Sequence, residues 1–349
     1  MNLRTIFSIF LLFSVSIGQT GQAGIKRPPC RDFIGTAAAW VDTKISGKML
    51  DEAVNHLYRF LVPKIETRKS LPLIAGCSRD EKTIYIAVDS HFYLNGSKRE
   101  INRFIVLHIA YETAIRRTYG ISTESATELA TWAERAAVEN AGIPWGKYRD
   151  FILEQIQNKN GSRAQVPSDL LQNDYFSKKV LSKEGLMDAL EELTSKVASR
   201  VDESYDIPYL AGYSLDGKEI YLHRGMKYKL LRLRGKTYDI RKTVVLHEAG
   251  EKALMDHWGL NYPHAHQITS RVEKAAVQAW GLQWSRYDQY LQELISKAWG
   301  RVSKIPPELD MTPYCDENDF DTVQAMVRSA PSLCQQNQVK ELLGGEGCL

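Results

Sequence analysis

Apolar positions along the chain recur with two different periods, and these divide it into elements. Over 240–257, 264–280 and 285–298 they return every three or four residues, the spacing of helices with one buried face. The same spacing marks 100–118, 124–141 and 146–157, and two leading helices at about 49–62 and 184–203. Shorter runs, Ile84-Tyr85-Ile86-Ala87-Val88 and Glu219-Ile220-Tyr221-Leu222-His223, follow turns containing Gly and Asp and read as β-strands. Each is followed by a second strand or loop. A few short strands with four helices make an α+β unit of ordinary domain size. Beyond Gly300 the tail, with Pro306-Pro307 and Pro313, reads as an extended segment and one short helix at about 319–329.

The pattern is written twice. Pro72-Leu73-Ile74-Ala75-Gly76 matches Pro208-Tyr209-Leu210-Ala211-Gly212, and Ile84-Tyr85-Ile86 matches Ile220-Tyr221-Leu222. After a three-residue insertion the register holds without a gap, pairing His108 with His247, Glu112 with Glu251, Gly120 with Gly259, Glu134 with Glu273 and Trp145 with Trp284. Such a register predicts a tandem duplication of a small, mainly helical domain with a short β-strand pair. Copy 1 spans 48–157, a polar linker 158–183, copy 2 184–300, and the tail 301–349.

Candidate chemistry lies in His247-Glu248-Ala249-Gly250-Glu251. On a helix His247 and Glu251 lie one turn apart and face the same way, with Glu248 about 100° round. A His and a carboxylate so placed grip one divalent ion and leave the neighbouring Glu free to move protons. The turn Gly259-Leu260-Asn261-Tyr262-Pro263 then folds the next helix back antiparallel, which turns His266 toward His247 and Glu251. Glu273 shares a face with His266 and is expected either as a fourth ligand or as a group orienting one. The segment resembles the HExxH helix of zincin-type metallohydrolases, with Glu251 where that motif has its second His. The resemblance covers about thirty residues. It implies Zn2+ held by His247, Glu251 and His266 in copy 2, Glu248 as general base, and hydrolysis of a peptide or other amide.

Copy 1 serves as a control. It has Ile109 for Glu248, Thr127 for His266 and Ser125 for His264, which describes a degenerate site. His108, Glu112 and Glu134 also form a carboxylate-rich set that a metal can use. The alternative assigns the shared His and Glu to the fold, because a buried His–Glu pair satisfies its own polar atoms. The chain is then a non-enzymatic two-domain binding or scaffold protein of the envelope or secreted space. His264 diverges from His266 by about 200° and reads as a helix-start residue, and His257 lies about 80° off the ligand face and reads as exposed. Tyr221, His223 and Tyr262 are candidate donors to an oxyanion. Trp145 and Trp284 read as core.

Composition adds limits. Charged residues are 25% and apolar 44%, enough for a core, and the formal charge of +3 is too dispersed for a nucleic-acid footprint. Residues 1–23 carry Arg4, the largely apolar run from Ile6 to Ile17, and small residues ending at Ala23, the pattern of a secretory signal peptide. The expected mature protein is exported, periplasmic or secreted, with no integral membrane segment. Cys30, Cys77, Cys315, Cys334 and Cys348 form no CxxC pair, and in an oxidising compartment Cys315 and Cys334 are placed to bridge the tail.

Overall fold

The computed structural model describes residues 45–67, 71, 74–87, 91–159, 166–171, 181–225, 229–233, 235–298 and 302–345. The expectations for residues 1–23, Cys30, Pro72, Leu73, Val88, Cys348 and much of 158–183 fall outside them. The fold is α+β and mainly helical, with small sheets. Its first half runs α1 (Gly47–Leu61), β1 (Ile65–Thr67), β2 (Ala75–Ser78), β3 (Ile84–Ile86), the hairpin β4 (His91–Leu94) and β5 (Ser97–Glu100), α2 (Asn102–Tyr119), α3 (Thr123–Asn140) and α4 (Trp145–Lys159). A short β6 (Leu170–Leu171) follows. The order then repeats as α5 (Lys183–Val197), β7 (Val201–Tyr205), β8 (Ala211–Tyr213), β9 (Ile220–His223), β10 (Lys229–Leu233), β11 (Lys236–Asp239), α6 (Arg241–Trp258), α7 (Tyr262–Ala279) and α8 (Trp284–Ala298). The tail holds three short helices, α9 (Thr312–Asp316), α10 (Phe320–Ser329) and α11 (Asn337–Leu342), where one was expected.

Local chemistry sets these boundaries. Ser46, Ser182 and Asn261 sit just before α1, α5 and α7 and accept the otherwise unpaired amides of Met49, Gly185 and His264. Gly120 and Gly259 end α2 and α6 in the left-handed conformation, at φ 64° and 69°. The leading helix of the second half stops at Val197, short of the expected 203, and Val201 opens a strand instead. Val197 and Val201 are four apart, so the helical period continues on paper. Pairing with β9, Val201 opposite Ile220, decides the matter.

Both halves build the same small sheet. β1 runs parallel to β3 and β2 antiparallel to it; β7 and β8 flank β9 in the same way. The likeness extends past the expected copy limits. Ser78 pairs with Leu170 and Arg79 N–H donates to Asp169 O, while Ser214 bridges Leu309 and Leu215 N–H donates to Glu308 O.

One apolar core runs through both halves. α2 packs on α6, and the leading helices cross over, α1 against α7 and α5 against α3. Trp258 Nε1 donates to Ala110 O across the seam at 2.8 Å. Gly250 permits the closest approach, because a Cβ there would stand 2.5 Å from Tyr111 Oη and 2.8 Å from Thr269 Cγ2. The tail forms a second apolar cluster against β7–β9. A buried ammonium ties it to α6: Lys252 Nζ donates to Leu215 O, Asp256 Oδ1 and Asp310 Oδ2, each at 2.9 Å.

The expected bridge between Cys315 and Cys334 does not form. Cys77 and Cys315 are buried thiols, and Cys334 is in a disulfide with another residue. Cys315 lies fully inside α9, where packing against the tail's apolar cluster sets its direction. Among the described residues no helix is long and apolar enough to cross a membrane.

Candidate metal centre

α6 carries His247 and Glu251 one turn apart, and the tight turn after Gly259 folds α7 back so that His266 meets them. His247 Nε2 lies 3.1 Å from Glu251 Oε2 and 3.0 Å from His266 Nδ1, and His266 Nδ1 lies 3.1 Å from the same Oε2. These three atoms make a nearly equilateral triangle. Ligands at 2.0–2.1 Å in a tetrahedron are roughly 3.3 Å apart, so the triangle needs only slight opening to become one face of a coordination sphere. The His247, Glu251 and His266 group can hold a metal ion. Its proton inventory points the same way. With one proton of His247 directed at Glu273, its Nε2 presents a lone pair to a carboxylate oxygen and a second imidazole nitrogen. In the tautomers whose protons point out of the triangle, both imidazoles and Glu251 are acceptors facing one point, which a cation satisfies, either a metal or added protons.

Glu273 is not on that face. Its Oε2 lies 2.9 Å from the opposite ring nitrogen, His247 Nδ1, so it orients the imidazole and is not placed as a fourth ligand. Tyr287 Oη donates to Glu273 Oε1 and is 2.9 Å from Thr243 Oγ1; Tyr213 Oη donates to Glu251 Oε1 at 2.8 Å. Each carboxylate therefore has one oxygen held by a tyrosine and the other turned to histidine. Burial disfavours charge on His247, but Glu273 and Glu251 outweigh it and hold its pKa well above the ordinary value. Burial also acts against charge on Glu251, and the two histidines overcome it, holding that carboxyl at about 2. Glu248 goes the other way. Burial first, then the charge of Glu251, pushes its carboxyl up to about 8, with His247 opposing.

The group opens into a cleft of about 760 Å³, measured with its mouth. Glu248 lines it beside the triangle, with Tyr209, Leu210 and Ala211 on one wall and Trp284, Asp288, Leu291 and Ile295 of α8 on another. Pro313 and Tyr314 of the tail complete it. Tyr314 is 1% exposed, and its hydroxyl has the Tyr209 backbone as its nearest polar partner and no side-chain partner among the described residues. Trp284, expected in the core, is half-buried at its edge, packed against the core and lining this wall. The sequence carried no signal for Tyr213, Tyr314 or Asp288, because each reaches the site only through packing. Matching of Tyr148 with Tyr287 was the one available hint.

The first half repeats the scaffold without the opening. His108 Nδ1 is 3.0 Å from Glu134 Oε2, His108 Nε2 is 3.3 Å from Glu112 Oε2, and Tyr148 Oη donates to Glu134 Oε1 at 2.5 Å. The side chains of His108, Glu112 and Glu134 are all fully buried. Where the second half has Glu248, His266, Tyr213 and Asp288, the first has Ile109, Thr127, Cys77 and Arg149. Glu134 faces the Nδ1 side of His108, away from Glu112, so the three do not converge as a ligand set.

Other expected residues separate. His264 opens α7, its amide received by Asn261, and its ring stands 4.6 Å from that of His56. His257 is not exposed: its side chain is 17% accessible, beside Glu81 and edge-on to Trp258. Tyr221 packs into the tail cluster and His223 Nδ1 pairs with the Ile207 backbone, so neither lines the cleft. Both lie on β9, the middle strand of its sheet, which the tail covers. Tyr262 does line it, 5.5 Å from the His266 ring. No protein-family profile, curated protein or solved structure matches the chain.

Proposed function

We propose that the second half is the catalytic half of an exported zinc-dependent hydrolase acting on a peptide or other amide, and that the chain arose by tandem duplication. What carries the reading is the triangle of His247, Glu251 and His266 opening beside Glu248 in a cleft. Two imidazole nitrogens and one carboxylate oxygen suit Zn2+ better than the oxygen-preferring Mg2+ or Ca2+. Such an ion supplies Lewis acidity, acidifying water and polarising a carbonyl. The chain's own groups do the rest. Glu273 and Tyr287 keep the His247 lone pair pointed at the site, and Tyr213 fixes Glu251. Glu248, ionised when a cation in the triangle offsets the Glu251 charge that helps raise its pKa, takes a proton from the attacking water and returns it to the leaving nitrogen. Tyr314, a residue of the same cleft wall, donates from its hydroxyl to the carbonyl oxygen as it gains charge.

Duplication is supported by matched contacts as well as matched residues, including the Leu170 and Leu309 bridges that lie outside the obvious repeat. Residues common to both halves then serve the shared scaffold, while Glu248, His266, Tyr213 and Asp288, which the first half lacks, gather at the triangle and cleft. The scaffold reading keeps its force for the first half, where the His–Glu pairs are sealed.

Metal analysis of protein purified without chelator is the first test. About one equivalent of zinc is expected, retained in Thr127→Ala and lost in His266→Ala; no stoichiometric metal in the parent protein ends the proposal. On a mixed fluorogenic peptide library, Glu248→Gln should retain metal and lose hydrolysis, and Tyr314→Phe should lower kcat about a hundredfold. Undiminished turnover by Glu248→Gln removes its role as base.

A further inference from the structure

α8 faces the cleft with Trp284, Asp288, Leu291 and Ile295. These positions fall within about 60° of one another on a helix, a single stripe that is apolar except for one carboxylate. Asp288 Oδ1 is buried and has no hydrogen-bond partner among the described residues. It stands in the second turn of α8, past the amides that a capping carboxylate would receive. A carboxylate oxygen withdrawn from water and given no donor costs stability unless something arrives to pair with it.

The remaining charges say what that is. The cleft is lined by Glu248, Glu251, Glu273 and Asp288; its basic groups are His247 and His266, both at the triangle, and among the described lining residues there is no Lys or Arg. A divalent ion answers Glu251, and His247 with Tyr287 answers Glu273, but neither answers Asp288, which belongs to a different wall. Trp284, one turn before Asp288, adds an aromatic face, which favours cations. Leu291 and Ile295 continue the stripe with surface suited to an aliphatic stem. The first half has Arg149 at the matching position, its guanidinium directed to Asp150. The acid is thus not something the shared scaffold requires.

We infer that the cleft selects substrates bearing an unbranched cationic side chain of the lysine or arginine type, its stem along Leu291 and Ile295 and its charged end on Asp288 and Trp284. This rests on the hydrolase reading for its consequence, substrate choice, but the subsite itself binds without a metal. The probes are n-pentylguanidinium and n-pentylurea, nearly isosteric and differing in charge, neither a good metal ligand. Calorimetric titration of the full chain, with and without zinc, should show the guanidinium binding about tenfold tighter than the urea. Asp288→Asn should bring the two within about twofold of each other, and added salt should weaken only the guanidinium in the parent protein. Equal affinities in the parent protein, or a preference that survives Asp288→Asn or is indifferent to salt, overturns the inference. A preference that obeys these rules in a protein that takes up no metal leaves the cation subsite standing and removes the hydrolase.

Discussion

Lys252→Met deletes a buried ammonium while keeping its apolar stem. The side chain is wholly inaccessible, its three acceptors stand at 2.9 Å, and the ammonium lies 5.2 Å over the Tyr213 ring. Asp310 is equally inaccessible, so the substitution strands a carboxylate in the interior; Asp256 is 34% exposed and water replaces its partner. Breaking one side of a buried ion pair costs about 3–5 kcal/mol, and a surface pair under about 1 kcal/mol. Asp310 Oδ1 keeps two donors, Thr312 N at 3.0 Å and Thr312 Oγ1 at 2.6 Å, which places the expected loss near the lower end, about 3 kcal/mol. Urea unfolding read from the midpoint, with the slope checked for constancy, measures it. Adding Asp310→Asn should recover part of the loss, because the stranded charge goes with it. The capacity of the triangle to take up metal should not change, since none of His247, Glu251 and His266 lies on the tail. A loss below about 1 kcal/mol, or strict additivity of the two changes, would refute the claim that this pair pins the tail to α6.

Two further perturbations probe the seam and the first half. Gly250→Ala forces a Cβ to within 2.5 Å of Tyr111 Oη and should cost about 1–3 kcal/mol in thermal or urea unfolding, part of it recovered by Tyr111→Phe; no loss would mean that the helices part freely. For His108, burial disfavours the charged form, but hydrogen bonds to Glu112 and Glu134 outweigh it and raise the pKa from 6.5 to about 9. A raised histidine pKa contributes stability in full below about pH 6.5, and the contribution disappears as pH rises through about 9. The parent protein should therefore lose on the order of 3 kcal/mol over that window, and His108→Gln should not, measured as unfolding free energy against pH. Parallel curves for the two proteins would show that His108 is not held as an imidazolium.

Some features follow from the chain alone because they depend on neighbours in sequence. His247 and Glu251 share a face through the pitch of one helix, and Gly259 and Asn261 end α6 and cap α7 through their own conformational and hydrogen-bonding preferences. The paired register of the two halves is likewise a property of the string of residues, and so are the α+β class and its mainly helical content.

Other features arise only when distant segments meet. Tyr213 reaches Glu251 from 38 positions away and Lys252 reaches Asp310 from 58, contacts that no periodicity encodes. Packing also made the sealed first half and the open second half from almost the same scaffold, placed Tyr314 of the tail in the cleft wall, and turned Trp284 and Asp288 toward it. Helical spacing determines which side chains of one element point together. What stands opposite them, and whether water can enter, depends on how whole elements fill space, and only the tertiary structure settles that.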